Sequence, residues 1–290
     1  MKEGHCFNLC SVARNLEVLC KTKKINIEEI PLKKDSLEID IEKFKYLISR
    51  KAAKCVCCTH VSNVTGYILP VEQLFDIAHK NGAITVLDAS QSFGLIKIDT
   101  SRYNVDFIVF AGHKTLYGPI GAAGFIDVND VELNSVLAGG TGSDSTNLDM
   151  PKESPLKYEA GSKDIVSIAG LNAAVKELDQ EKNYYHEKEI GNYLIEGLKA
   201  IEGVTLYLPD DLDNHIGVIS FNLEGYSADE VGTILDEDFD IAVRTGFHCA
   251  PYIHKYLKDE NTLGTVRVGL SQFNTKDEVD KLLEAIAELE

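Results

Sequence analysis

The sequence predicts an α/β chain: a mostly parallel sheet between helices, followed by a smaller α+β unit. Three observations carry this. Short apolar runs alternate with amphipathic stretches through the first 130 or so residues, the signature of strand–helix–strand units. An acid, Asp88, ends one such run and a lysine, Lys114, follows another, so both fall at strand carboxyl ends, where open α/β sheets bind ligands. After a weakly patterned stretch the alternation resumes with shorter strands, as in a second, smaller unit.

Residues 25–30 read as a strand, and 41–49 as an amphipathic helix after a turn at Lys34-Asp35-Ser36. Residues 55–58 form the next strand. Residues 71–79 form a helix that Asn81-Gly82 stops, because glycine and asparagine accept the left-handed backbone of a helix end. Strands follow at 84–87, 106–110 and, after a glycine-rich turn, 124–126. Between about 129 and 162 the pattern fades, and Ala138-Gly139-Gly140-Thr141-Gly142-Ser143 reads as a polar loop, linker or functional. Helices are expected at 168–178, 186–201, 228–235 and 276–289, with strands at 204–207, 217–222, 241–244 and 266–269. The resulting division is a large unit over 1–180 and a smaller one over 181–290.

Composition narrows the function. The chain has 290 residues, 44% hydrophobic and 26% charged, enough for a large core and a small one. Its formal charge of −17 disfavours nucleic acid and anionic membranes, which attract surplus Lys and Arg. No run approaches the roughly 20 apolar residues that span a bilayer, and the first residues hold no signal-like apolar core. A soluble cytoplasmic protein is therefore expected, with its seven cysteines reduced. The cluster Cys55-Val56-Cys57-Cys58-Thr59-His60 raises a metal site as one reading. On a strand, however, Cys55 and Cys57 face one way and Cys58 and His60 the other, which favours cysteines packed as small hydrophobes and no metal.

Asp88 and Lys114 suggest a particular chemistry. A lysine amine can bond a carbonyl cofactor as a Schiff base, and a carboxylate can keep a pyridine nitrogen protonated, which together suit pyridoxal 5'-phosphate. Around them stand Thr59-His60-Val61-Ser62-Asn63, Asp88-Ala89-Ser90-Gln91, Gly112-His113-Lys114, Tyr158-Glu159-Ala160-Gly161-Ser162 and Arg244-Thr245-Gly246-Phe247-His248-Cys249-Ala250. In this order and spacing they resemble the class V aminotransferases, and most nearly the cysteine desulfurases and selenocysteine lyases.

The resemblance implies the pyridoxal-phosphate fold type I, with a cofactor-binding large domain over 1–180. It implies that Lys114 holds the cofactor, Asp88 its ring nitrogen, Gln91 and Asn63 its phenolic edge, and His113 its phosphate. Ala111 stands where the nearest families carry a serine for that phosphate. Ser162 matches a residue that reaches the partner subunit's phosphate; read from the residues alone it is equally a helix N-cap. His5 matches a histidine that stacks on the ring, although Gly4 disturbs the pattern. Cys249 would take sulfur as a persulfide, with Arg244 and His248 favouring its thiolate, and Phe247 replaces the family's more usual histidine. Arg267 would clamp the substrate carboxylate. A homodimer, a cysteine or selenocysteine substrate and a sulfur-acceptor protein are further implications. Family members also carry an earlier segment with a glycine–threonine phosphate loop, not found in this sequence. Another class V reaction, or a truncated fragment without catalysis, therefore stands beside the desulfurase reading.

Overall fold

The structure is a computed structural model that describes residues 4–9 (backbone only), 21, 25–33, 36–142 and 146–289. The turn predicted at Lys34-Asp35 and the Ser143 end of the glycine loop lie outside the described residues. Six strands form the larger sheet: β1 (Gly4–Leu9), β2 (Ile25–Glu29), β3 (Ala53–Thr59), β4 (Ile84–Asp88), β5 (Phe107–Ala111) and β6 (Ala123–Asp127), in the spatial order β2-β1-β3-β4-β5-β6. All neighbouring pairs are parallel except β5–β6, so the sheet is mostly parallel, as the strand–helix alternation predicts.

The helices between these strands form for legible reasons. In α1 (Ile41–Lys51), Asp40 caps the N-terminus by accepting from the Lys43 amide, and Phe44 and Ile48, four apart, turn into the core. In α2 (Val71–Lys80) the buried residues Val71, Leu74, Phe75 and Ala78 follow the i, i+3, i+4, i+7 stripe. Its end comes where predicted: the Gly82 amide bonds the His79 carbonyl, and Gly82 has φ +73°, a conformation that glycine adopts without strain. A short α3 (Thr100–Tyr103) follows. Phe44, Phe75, Val56, Cys58, Leu87 and Ile108 make one core beneath the sheet. The register aligns Thr59, Asp88 and Val109, which brings the carboxyl ends of three parallel strands to one edge.

The C-terminal unit is built on β7 (Val204–Leu206), β8 (Val218–Leu223) and β9 (Val266–Gly269), antiparallel in that order. Helices α5 (Gln180–Lys199), α6 (Ala228–Phe239) and α8 (Lys276–Ala287) pack around it, whereas α7 (Pro251–Leu257) sets Ile253 against the core of the larger unit. Leu194, Leu198, Phe221, Leu235, Leu282 and Ile286 form its core. Capping boxes open α6 (Ser227/Glu230) and α8 (Thr275/Glu278). Gly197 lets α5 approach α8, since a Cβ there would fall 2.3 Å from Leu283. The preceding helix, α4 (Ile165–Glu177), packs its Leu171 against Gly112 and Gly118 of the larger unit. Backbone bonds Ile216 N to Gly66 O and Ile68 N to Asn214 O stitch the two units together.

Some expectations need correction. Residues 241–244 are not a strand; only Arg244 bridges Arg267, because the chain turns away at Gly246, φ +89°. The helix expected over 186–201 begins at Gln180, where Asp179 accepts from the Lys182 amide. Three labelled elements were not predicted: β1, α3 and α7. The sequence of β1 is too polar to read as a strand, and α7 is a seven-residue helix whose start is set by Pro251.

Candidate active site

Asp88 is the last residue of β4, and its Oδ1 accepts from the Ser90 amide at 3.0 Å, closing the turn that leaves the sheet. Lys114 follows β5 in a tight turn, held by Tyr117 N to Lys114 O (2.8 Å) and Gly118 N to Gly112 O (2.7 Å). Gly112 is needed there, because a Cβ would meet the Ala122 carbonyl at 2.7 Å. Burial pushes the Lys114 amine below the usual lysine range; nearby Asp88 opposes this and Arg267 adds to it. The amine thus lies within the fields of Asp88, Arg267, Cys249 and Arg244 together. A cleft of about 200 Å³ opens beside it, lined by Asn63, Gln91, Lys114, Tyr117, Glu187 and Arg267 among others.

The smaller unit supplies the opposite wall. Arg267 on β9 donates from Nη1 to the Asn63 carbonyl at 2.8 Å, and the Asn63 Nδ2 donates to the His248 carbonyl at 2.7 Å. Asn63 therefore spends its amide group on the cysteine loop as well as facing the cleft. Cys249 is exposed, outside any disulfide, and Arg244 Nη2 stands 3.2 Å from its Sγ. His248 and Cys249 both have left-handed backbone, φ 49° and 61°, which costs on the order of 1 kcal/mol or more per non-glycine residue.

His248 sits differently from expectation. Its ring is buried, Nε2 lies 3.0 Å from the Thr265 carbonyl and 2.9 Å from its hydroxyl, and burial with nearby Arg267 pushes its pKa down to about 3. A neutral ring bonded to Thr265 brings no positive charge to Cys249. Arg244 does that alone in this pair, and His248 serves the loop through its carbonyl.

His113 is exposed beside Lys114. Ser162 is exposed too, and it is not the N-cap of the helix that follows; Asp164 is, accepting from the Ser167 amide at 3.0 Å. The backbone of His5 lies on β1 opposite Ala53, and its side chain lies outside the described residues. On β3, Cys55 and Cys57 lie with their sulfurs 3.5 Å apart on one face, while Cys58 is buried on the other. His60 also points inward, with Nδ1 2.9 Å from Ser92 Oγ.

Sequence reasoning missed Tyr117 and Glu187. Glu187 is buried on α5, and burial raises its carboxyl to about 7, partly offset by the Tyr117 hydroxyl 3.4 Å away. The signal was present: Glu187 occupies the same helical stripe as Ile190, Gly191, Leu194 and Leu198, so a carboxyl was bound to face inward.

Comparison with known proteins fits this geometry. Residues 10–282 match the aminotransferase class-V family. The chain belongs to that family. Class V aminotransferases are pyridoxal-phosphate dependent. Among relatives, a probable cysteine desulfurase of Halalkalibacterium halodurans is 35% identical over 279 residues, covering 92% of this chain and 65% of that protein. One from Pyrococcus abyssi is 37% identical over 248 residues, covering 82% of this chain and 60% of that protein. The chain thus spans somewhat under two thirds of the length of these curated relatives. In three dimensions it is similar to a cysteine desulfurase of Thermococcus onnurineus, with a TM-score of 0.82 and 29% identity over all of this chain and 73% of the other. The fold of this class V chain is therefore fold type I, with a mostly parallel central sheet.

Proposed function

We propose that this chain is a pyridoxal-phosphate-dependent cysteine desulfurase, taking cysteine or selenocysteine to alanine and keeping the sulfur or selenium on Cys249. One observation carries the reading: the exposed Cys249 thiol, with Arg244 3.2 Å away, is tied through Asn63 and Arg267 to the cleft that holds Lys114.

The donor set fits the cofactor. A half-buried amine and two amides line one cleft, and a strand-end carboxylate acts on that amine, a set that suits a carbonyl-bearing pyridine ring. Lys114 would hold the group through its amine, Asp88 its ring nitrogen, and Gln91 and Asn63 its phenolic edge; His113 and Ser162 would serve phosphates, Ser162 that of a partner subunit. When bound, pyridoxal phosphate supplies an electron sink for bonds at the substrate's α carbon.

The chain's own residues do the rest. Arg267 pairs with the substrate carboxylate, its planar fork suited to two oxygens. Lys114, with its lowered proton affinity, moves a proton at the α carbon. The Cys249 thiolate attacks the substrate sulfur: an S–S bond forms, the substrate C–S bond breaks, and the released carbon takes a proton to give alanine. The substrate carbon is reduced and the sulfur pair oxidised by the same two electrons, so no outside oxidant enters.

A homodimer and a sulfur-acceptor protein belong to the same proposal, as does the division into a cofactor-binding domain over 1–180 and a smaller one over 181–290. The dimer is supported by apolar side chains left open on α4, with Ile165 73%, Val166 78% and Ile168 51% exposed. A reducing, cytoplasmic setting suits a thiol that must stay reduced. The test is to supply the purified chain with pyridoxal phosphate, cysteine and a thiol reductant, and to measure alanine and sulfide. Equal amounts of both, lost in Cys249→Ser, are expected. Absence of alanine, or amino transfer to a keto acid unaffected by Cys249→Ser, overturns the desulfurase reading.

A further inference from the structure

Next to the cysteine loop lies a buried polar cluster of His248, His254 and Asp259. His254 on α7 is buried, and its Nδ1 stands 2.5 Å from Oδ2 of Asp259, itself buried. The His254 ring meets Phe247 edge-on, centroids 5.0 Å apart, and lies 6.0 Å from the His248 ring. It therefore supports the two residues that lead into the left-handed turn at His248 and Cys249. Three atoms here, His248 Nδ1, His254 Nε2 and Asp259 Oδ1, are buried without a hydrogen-bond partner among the described residues.

Such a cluster is a poor way to build a core. Buried ion pairs replaced by apolar residues of similar volume often leave stability unchanged or improved, and unmatched polar atoms each add a penalty. What the pair does supply is orientation. Asp259 fixes the tilt of the His254 ring, because the hydrogen bond to Nδ1 permits one ring plane where packing alone permits several. Asp259 is fixed in turn by its own backbone, whose carbonyl accepts from the Thr262 and Gly264 amides. Gly264 also packs against Gly246: a Cβ there would fall 2.4 Å from the Gly246 carbonyl oxygen. The same turn, residues 259–264, thus anchors both the aspartate and the start of the cysteine loop.

We infer that His254, oriented by Asp259, is a positioning residue that holds the strained His248–Cys249 turn and so keeps the Cys249 sulfur beside Arg244. The inference rests on Cys249 being the reactive thiol of the proposed function. A rotated or displaced ring would release Phe247 and His248, let the turn relax toward ordinary backbone, and carry the sulfur away from the guanidinium.

The test reads the thiol directly, without cofactor or substrate. The rate of Cys249 carbamidomethylation by iodoacetamide is followed by peptide mass spectrometry in the full chain and in His254→Ala, Asp259→Leu and Asp259→Asn. His254→Ala and Asp259→Leu should react about five-fold more slowly, the order of a lost exposed charge contact. Asp259→Asn keeps an acceptor for His254 and should restore the rate to near that of the unchanged chain. Equal rates in all folded variants would overturn the inference, and so would loss of the folded far-UV circular dichroism spectrum in every variant, which would assign the pair to core stability alone. Alanine release is scored separately. A chain that makes no alanine yet shows this alkylation pattern loses the desulfurase reading and keeps the brace.

Discussion

The two walls of the cleft are held by different means. On the larger unit, Lys114 and Asp88 are fixed chiefly by the backbone: parallel strands in register, a glycine turn, and carbonyls that bond the amides three to six residues on. On the smaller unit, Cys249 sits on an exposed loop with two left-handed residues, held by side chains that reach in from elsewhere: Asn63, Thr265 and Arg244. The first arrangement suits a group whose proton affinity must be set by burial. The second suits the role proposed for this thiol, which is to reach a substrate sulfur and then present it to an acceptor. Rigid placement and exposed delivery are separate demands, and the fold meets them on separate units.

The sharpest way to test that division is to remove the reacting group from each wall. Lys114→Ala should abolish both the visible absorption of bound pyridoxal phosphate and all alanine formation, because the proposed function makes this amine the covalent anchor. Cys249→Ser should keep the absorption and lose alanine formation from cysteine, since the proposed function makes this thiolate the attacking group. Titration of each purified variant with the cofactor, followed by amino-acid analysis, checks the pair. If Cys249→Ser also lost the absorption band, the two walls would not be separable.

The next effect lies at the floor of the cleft. Glu187 keeps its proton up to about pH 7 in the folded chain, against an ordinary value of 4.5. Unfolded chain therefore binds fewer protons than folded chain in that window, and stability falls as pH rises from about 4.5 to about 7. The loss attributable to this residue is about 3 kcal/mol. Glu187→Gln, isosteric and uncharged, should flatten that part of the curve while leaving the Tyr117 contact. Urea unfolding at pH 5 and pH 7.5 measures it, and equal slopes in both proteins would refute the assignment.

The same contrast explains what the sequence revealed. The sheet-bound wall was legible because its determinants are local: apolar runs ending in Asp88, a turn around Gly112, an Asn81-Gly82 stop. Residue periodicity encodes such features directly. The loop wall was legible only as a motif. That Arg244 and Arg267 stand side by side follows from a single backbone bridge, which no local pattern announces, and residues 241–244 were expected to extend as a strand instead. His248 is expected to assist the thiol as a cation, yet burial, with Arg267 from 19 residues away, keeps its ring neutral. Long-range partners decide charge states, and a linear reading does not contain them. Ser162 carries two readings in the sequence, a phosphate contact and a helix N-cap; the N-cap is instead Asp164, two residues later, which accepts from the Ser167 amide.

The smallest expected effect tests the exposed wall on its own terms. Arg244 Nη2 and Cys249 Sγ are 3.2 Å apart, but both residues are exposed, so water and salt screen the attraction. A screened contact of this kind is worth no more than about 1 kcal/mol, and Arg244→Gln should slow Cys249 alkylation at neutral pH by about five-fold at most. Raising the salt concentration should narrow the gap between the two proteins, because the unchanged chain loses the same attraction by screening. A burial-controlled group would not behave so. If the rate ratio instead held constant from low to high salt, the arginine would be acting through loop geometry and not charge, and Cys249 would be positioned much as Lys114 is.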